Sequence, residues 1–355
     1  VLATVVSVLR IALPYADSYK HRIEQVLSQQ LGAEVAIGYI DAGWQGNGPA
    51  LILQDVSIDG GEQLQLAITR TSLRLDFWQS LLSQQLTAEH VELNGLRYRV
   101  NADSLFSLNA NTTAPTHLAL QTLEQLFFRQ LKDFTVTASQ LILYSEHNPD
   151  VVLDISKLNW RNDEQRHQGH GELAIADVTA NNVSFILDLH GPNLHDVQGA
   201  LYLQSSELDL LPLFRQWLPQ ASRLQKASIN FSAWGSIEQG RLQQVQVALA
   251  DNSVHWQREG EQHRLMLSPG QLLWQPTVQG WQLLSSELTL SSLQESWSGL
   301  QLQLQKDAQR LQFNLQHFQL DALEPLAQLL AEDSNLVQGI LQHQPSGYLD
   351  TLQLS

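Results

Sequence analysis

His167 and His170, in the stretch Arg-His-Gln-Gly-His-Gly-Glu from Arg166 to Glu172, are the residues whose types most suggest a metal site. Zinc needs a third protein ligand at a compatible spacing, and no further His or carboxylate follows at one. Gly169 and Gly171 read as a turn instead. His190 and His195 flank Gly-Pro-Asn-Leu and read the same way. No Gly-x-Ser-x-Gly elbow offers a serine nucleophile. No glycine-rich loop precedes a helix to cradle a phosphate. Asp and Glu are plentiful, but none forms a local pair suited to acid–base work. Trp234, Trp256, Trp274, Trp281 and Trp297 crowd the last third. They suit either a carbohydrate platform or the packing of sheet ends. The expectation is a protein that is not an enzyme, with no catalytic residue, no metal and no cofactor.

Composition narrows the partners. The 355 residues carry 20 basic and 36 acidic side chains, a formal net charge of −16. Nucleic-acid binding rests on Lys and Arg neutralising phosphates, so that class is excluded. Hydrophobic residues make up 43% of the chain, which excludes a disordered polymer. Only 16% are charged, so the polar surface is built from Gln, Ser, Asn and Thr. The chain has no Cys, which removes thiolate chemistry and disulfides and suits an oxidising compartment.

The elements that would carry any site are strands. From Gly299 to Asp321, Leu300, Leu302 and Leu304 alternate with Gln301, Gln303 and Gln305. Leu311, Phe313 and Leu315 then alternate with Gln312, Asn314 and Gln316, across a turn at Lys306–Gln309. This is a hairpin with one apolar and one amide-bearing face. The same alternation places Leu153 and Ile155, Leu173 and Ile175, Phe185 and Leu187 on apolar faces. It does so again for Leu201 and Leu203, Ile229 and Phe231, and Val245, Val247 and Leu249. A one-sided sheet needs a cover. A sandwich and a closed barrel both satisfy the pattern.

The fold class is therefore mainly β, with short helices near residues 76–86, 118–131, 209–218 and 321–331. Tyr15–Leu31 reads as a helix, and the β region runs over 33–355. Strands are expected at 87–93, 96–101, 263–274 and 281–290, among others. Val1–Leu13 is apolar apart from Thr4, Ser7 and Arg10. Thirteen helical residues reach about 20 Å, less than the ~30 Å hydrocarbon core. Residues 1–14 thus read as the end of a membrane anchor, 15–32 as a juxtamembrane helix, and the chain as the amino-terminal piece of a longer protein.

The expected short helices share a motif. Leu-Asp-Leu-Leu-Pro-Leu starts at Leu208, Leu-Asp-Ala-Leu-Glu-Pro-Leu at Leu320, and a copy without Pro at Leu75. Asp209, Asp321 and Asp76 are placed to cap helix starts, and Pro212 and Pro325 fit a first turn. The copies lie on the order of 100 residues apart, long for a solenoid repeat. One compact motif stands apart, Asp41–Ile58, where Trp44, Gly46, Gly48 and Pro49 make a structural corner between two strands.

The order of these features is similar to a known family. Leu-Pro-Tyr-Ala-Asp from Leu13, the corner at Trp44, Gly46, Gly48 and Pro49, and Leu-x-Leu strands broken by Leu-Asp helices resemble the AsmA-like family of Gram-negative envelope proteins, its YhdP branch most closely. The resemblance is strongest up to about Leu75 and beyond it rests on strand pattern and the repeated helix. It implies a single-pass inner-membrane protein with its bulk in the periplasm. It implies a long, strongly curled antiparallel sheet forming a trough, a repeating β-groove lined by the apolar residues above. The implied function is non-enzymatic carriage of phospholipid from inner to outer membrane, with acyl chains as the cover. Implied partners are phospholipid, the inner membrane through the amino-terminal helix, a loading protein there, and the outer membrane through a carboxy-terminal part beyond this chain. Two other readings compete: a periplasmic scaffold or assembly factor for outer-membrane proteins, working through sheet edges, and a glycan-binding sandwich using the Trp cluster.

Overall fold

Residues alternating apolar and polar form a strand with one buried face, and among the described residues this chain repeats the pattern into nineteen strands. The computed structural model describes residues 13–31, 33–45, 48–59, 65–75, 88–101, 128, 131–144, 150–175, 182–193, 196–209, 211, 224–258, 260–277, 280–307, 310–329, 339, 342–343 and 345–354. The helices expected near 76–86, 118–131 and 209–218 lie almost wholly outside these residues, as do residues 1–12 of the expected anchor. Among the described residues no helix is long and apolar enough to cross a membrane. The mainly β class holds.

The chain divides into two compact units, residues 1–176 with 186–196, and 177–185 with 197–355. The first opens with a 3-10 helix, Leu13–Tyr19, and helix α1, Lys20–Leu31. Its strands are β1 (Glu34–Gln45), β2 (Gly48–Asp59), β3 (Gln65–Leu75), β4 (Ala88–Asn101), β5 (Asp133–Tyr144), β6 (Val151–Asp163) and β7 (Arg166–Ile175). They hydrogen-bond in chain order, antiparallel except for β4 and β5. That pair is parallel, which a purely antiparallel reading did not foresee. A parallel pair needs a crossover of a dozen or more residues, and the long segment between Asn101 and Asp133 supplies the length. Strand β8 covers Asn182–His190.

The second unit holds β9 (Gln198–Asp209), β10 (Leu224–Glu238), β11 (Arg241–Leu249), β12 (Asn252–Arg258), β13 (Glu261–Leu267) and β14 (Gly270–Thr277). It continues with β15 (Gly280–Ser285), β16 (Leu288–Ser291), β17 (Ser296–Lys306), β18 (Leu311–Gln319) and β19 (Tyr348–Leu354). A 3-10 turn, Leu320–Ala322, leads into helix α2, Leu323–Leu329. The helix expected at 321–331 is thus present. Pro325 sits in its first turn as expected, but the capping role of Asp321 fails. Asp321 lies inside the 3-10 turn, the residue before that turn makes no side-chain cap, and the carboxylate instead reaches the Gly347 N–H at 3.5 Å. Asp209 Oδ1 accepts from the Leu211 N–H and from the Ala227 N–H, each at 3.0 Å, while the helix it is expected to cap lies almost wholly outside the described residues.

Several strand expectations need correction, and one physical feature explains them. In most strands the buried positions step by two, then once by three, then by two again. Examples are Ile37 to Ile40, Leu53 to Val56, Leu93 to Leu96 and Val136 to Ser139 in the first unit. Leu267 to Gly270, Ser285 to Leu288, Trp297 to Leu300 and Leu315 to Phe318 do the same in the second. Side chains alternate with period two, so an odd step would throw the rest of the strand onto the wrong face. An irregular residue absorbs the step, as in a β-bulge, and such residues bend a strand and increase its twist. Because the odd steps fall beside one another, they form a seam running across the strands. Left-handed backbone marks it at Asp55 (φ 51°), Gly95 (φ 69°) and Ala138 (φ 47°), and again at Glu207 (φ 53°), Gly299 (φ 85°) and His317 (φ 58°).

The seam joins residues 87–93 and 96–101 into the single strand β4, where two strands were expected. It also divides the expected strand 263–274 into β13 and β14, and 281–290 into β15 and β16. Likewise the chain bends at Ala250–Asp251, and β11 and β12 both pair antiparallel with β10. Broken ladder bonds along the seam are made good by side chains. The Leu96 N–H donates to Ser139 Oγ at 2.9 Å, whose hydroxyl donates to the Thr137 carbonyl at 2.8 Å. Asn252 Nδ2 donates to the Ala250 carbonyl at 3.0 Å, and the Leu302 N–H donates to Ser285 Oγ at 2.8 Å.

Ser139 is 2% exposed, so its loss leaves a buried N–H without an acceptor. Ser139→Ala is expected to destabilise the first unit by about 1–3 kcal/mol, read as a lowered urea midpoint. A change under about 0.5 kcal/mol, ordinary for a surface site, would show that the hydroxyl does not hold the seam.

Candidate functional site: one apolar sheet face

In the first unit much of the apolar face is covered by protein, while Leu141, Leu153, Ile155 and Leu173 stay part-exposed outside the buried cluster. Register carries one row from Val35 through Ile58, Leu66, Tyr98 and Leu141 to Leu153, whose partner on β7 is Ile175. Ile37, Ile40, Val56, Ile68, Val91, Leu93, Phe134 and Val136 are buried on it, and Ala16, Ile23 and Leu27 pack against them. Burial of the Tyr98 phenol pushes its pKa above the usual 10.0. Helix α1 thus lies on the sheet, a role beyond the juxtamembrane one expected of residues 15–32.

The same helix closes an edge. The Val35 N–H donates to Ser28 Oγ at 2.9 Å, the Ile37 N–H to Glu24 Oε1 at 2.8 Å, and the Ile40 N–H to Asp17 Oδ1 at 3.1 Å. Lys20 Nζ donates to the Gly38 carbonyl at 2.9 Å. These are the backbone groups that β1 does not spend on β2. An edge strand left bare recruits other strands, and here it is satisfied by side chains. The corner expected at Trp44, Gly46, Gly48 and Pro49 falls at the β1–β2 connection, with Trp44 paired to Pro49 and Pro49 buried. Gly46 lies outside the described residues.

In the second unit the face is differently placed. One row runs Leu201, Gly235, Val245, Trp274, Leu283, Leu304, Phe313, Leu354. A second runs Leu203, Ala233, Val247, Leu272, Ser285, and continues through the paired Leu302 and Leu315 to Leu352. Ile229, Phe231 and Leu249 extend it on β10 and β11, and Leu300 and Leu311 lie on it in β17 and β18. The face expected from alternation is therefore assembled across strands far apart in sequence. Ala233 and Leu249 are buried, but Leu201, Leu203, Val245, Val247, Leu302, Leu304 and Phe313 stay part-exposed. Among the described residues those seven belong to no buried cluster. The opposite face is an amide ladder, with Gln303 beside Asn314 and Asn314 beside Gln353.

Leu173 is half-buried beside Ile155, and Phe185 and Leu187 are half-buried on β8. Alternation missed Leu272, Trp274 and Leu283, which share the open rows. Their signal was present in the Leu-Leu-Trp and Trp-Gln-Leu-Leu runs, hidden by the odd step at the seam.

Near α2 the face closes again. Trp256, Leu265, Trp297, Phe318 and Ala322 form a buried cluster, with Leu300, Leu315, Leu323 and Leu326 against it. Two of the five late tryptophans are thus core. Trp234 is 48% exposed and leans on Tyr202, its ring centroid 5.5 Å away.

The His pair has a structural place. Gly169 and Gly171 lie inside β7, not in a turn; Trp160 packs on Gly169 so closely that a Cβ there would sit 2.6 Å from its ring. The turn falls at Glu164, with φ 46°. His167 is buried, its Nδ1 2.7 Å from Asn162 Oδ1 and its Nε2 2.9 Å from the Gly191 carbonyl. His170 is on the surface beside Asn159. Among the described residues no cluster of His, Asp or Glu is arranged to hold a metal.

This geometry defines a class, mainly β proteins whose sheet keeps one long apolar face partly open beside a polar, amide-rich one. The chain belongs to the YhdP protein family, whose pattern matches residues 1–355. It is similar to the intermembrane phospholipid transporter YhdP of Escherichia coli (strain K12), 27% identical over 374 residues that take in 100% of this chain and 29% of that protein. The chain thus spans under a third of the relative's length. No solved structure matches it.

Glu24 links the helix to the sheet, and the Ile37 N–H holds its carboxyl below the ordinary 4.5, with His21 and Lys20 adding to the effect. A depressed folded-state pKa contributes stability above the unfolded value and loses it as pH falls through the folded value. Docking of α1 is therefore expected to weaken below about pH 4.5, read by faster amide exchange at Val35 and Ile37. Glu24→Gln should remove that acid dependence; an unchanged profile would show that another carboxylate governs it.

Proposed function

We propose that this chain carries phospholipid acyl chains on the open apolar face of its sheet, as one stretch of a longer, trough-like conduit. The observation that carries the reading is the pair of apolar rows from β9 to β19, in which Leu201, Leu203, Val245, Val247, Leu302, Leu304 and Phe313 stay part-exposed and, among the described residues, belong to no buried cluster. Membership of the YhdP family and the printed function of the Escherichia coli relative support it. The physical need is large. A two-chain lipid of about 30 methylenes costs on the order of 24 kcal/mol to expose, at ~0.8 kcal/mol each. Free passage through water is then negligible, at a factor of ten per ~1.4 kcal/mol. An apolar strip offsets most of that cost at every step without binding the lipid in one place. The bending expected at the seam would curl each strand around the chains. On this reading the protein is not an enzyme, is held at the inner membrane by its amino-terminal segment, and moves lipid through the periplasm towards the outer membrane.

The capped β1 edge disfavours the scaffold reading at that end, because its backbone donors are already engaged by Asp17, Glu24 and Ser28. The glycan reading loses Trp256 and Trp297, which are buried.

Photocrosslinking in cells labelled with radioactive phosphate tests the face. A probe at Phe313 or Leu302 should capture label, and one at Gln312 or Gln303 should not. Equal capture at both parities, or none, would mean that lipid does not ride on this face. Phe313→Asp, on a half-buried position, should fold and lose most transfer; normal transfer would refute the conduit.

A further inference from the structure

Bases are scarce in this chain, 20 Lys and Arg against 36 acidic residues, yet in the second unit a set of them lines up. Lys226 on β10 pairs with His255 on β12, and His255 pairs with Arg264 on β13. Paired residues on neighbouring strands share a face, so the three form one row across the sheet. Like charges across a ladder destabilise a sheet. Among the described residues neither Lys226 nor Arg264 has an ion pair to offset that.

The row lines a cavity of about 690 Å³, within the range of ligand sites. The cavity opens on the side of the sheet away from the apolar rows. Gln204, Ser232 and Ala248 line it, and their neighbours Leu203, Ala233 and Val247 belong to a row on the other face. Ser228 and Ser253, a pair beside the basic row, line it too. Ser253 is buried, its Oγ 3.1 Å from His255 Nε2. The carboxylates on the lining, Glu207 and Asp251, gather at the other end around Asn230, which bonds the backbone of both. They do not cancel the row at His255. Burial lowers the pKa of that ring below the usual 6.5, and the fields of Arg264 and Lys226 lower it further, with no carboxylate opposing them. A positive site thus stands on a chain of net charge −16.

We propose that this cavity binds a phosphomonoester group, free or on a lipid head, between Lys226, His255 and Arg264. The site is independent of the acyl-chain reading, because it faces away from the apolar rows. A phosphomonoester carries about two negative charges at pH 7 and three acceptor oxygens. That matches the paired cations of Lys226 and Arg264 and the hydroxyls of Ser228 and Ser253. The Arg264 guanidinium can grip two of the oxygens at once. A carboxylate, with a single charge, would leave the row positive. As the phosphate cancels the two cations, the His255 pKa rises and the ring takes a proton from solvent.

The test follows the His255 ring by NMR in the whole chain as inorganic phosphate is added, with chloride at matched ionic strength as the control. Millimolar phosphate should raise the His255 pKa, and chloride should not. Lys226→Gln/Arg264→Gln changes two exposed side chains, so the fold should survive. Its phosphate affinity should fall about tenfold or more, the worth of one charge-assisted contact. A His255 ring indifferent to phosphate, an equal response to chloride, or undiminished affinity in the variant would each overturn the site. Phosphatidylcholine vesicles with and without phosphatidic acid then separate the two sources. Capture of the phosphatidic acid vesicles by the wild type and not by the variant would support the site and assign its phosphate to a lipid. Phosphate binding without vesicle capture would support it with a soluble ligand.

Discussion

A strand can present one apolar face only while its side chains keep strict alternation, and this chain breaks alternation along a line and keeps the face. That constraint governs the rest. One irregular residue at the break restores parity, so Ile37 and Ile40, three apart, both point into the same core. Each break forfeits ladder hydrogen bonds, and Ser139, Ser285 and Asn252 return some of them from their side chains. These polar side chains on an apolar face look like defects in isolation. They are the condition for a face that continues on both sides of a bend.

The seam also explains what could be read from sequence. The one-sidedness was legible, because Leu302, Leu304, Phe313 and Leu315 alternate with amides without interruption. The mainly β class followed from it. Strand limits failed where the odd step fell. At Gly95 the step looked like a gap between strands, yet backbone at φ 69° carries β4 through. At Ser268 and Pro269 no gap was read, yet the ladder breaks there. A template allowing one step of three within a period-two run would have recovered both, and with them Leu272, Trp274 and Leu283. The parallel pairing of β4 with β5 had no local signal, since register between strands separated by a long connection is a tertiary property.

Cover differs between the two units, and the difference has a local cause. In the first unit, α1 places Ile23 and Leu27 on the sheet, and its polar side chains occupy the β1 edge. Apolar contact and edge satisfaction reinforce each other, so this end is closed twice. In the second, α2 contributes only Leu323 and Leu326 to a cluster confined to the far side of the seam. A helix of seven residues is too short to reach the rows through Leu304 and Phe313. Among the described residues no helix lies on those rows, which stay part-exposed.

The choice between a sheet that binds and a sheet that conducts turns on depth. A binding pocket gains affinity by enclosing its ligand from several sides, whereas Leu201, Val247 and Phe313 are part-exposed along one sheet face; Val35 and Ile40, by contrast, are 5% exposed or less. Partial exposure weakens holding at any one position and leaves neighbouring positions nearly equivalent along the row. Equivalence from strand to strand is what lateral movement needs, because a deep site would act as a trap. The amide face serves the same end from outside. Gln305, Gln312 and Gln353 are exposed and keep that side wetted with neutral groups, which neither recruit anionic lipid nor repel it. On the proposed reading, a conduit of this kind would discriminate poorly among lipids along its length.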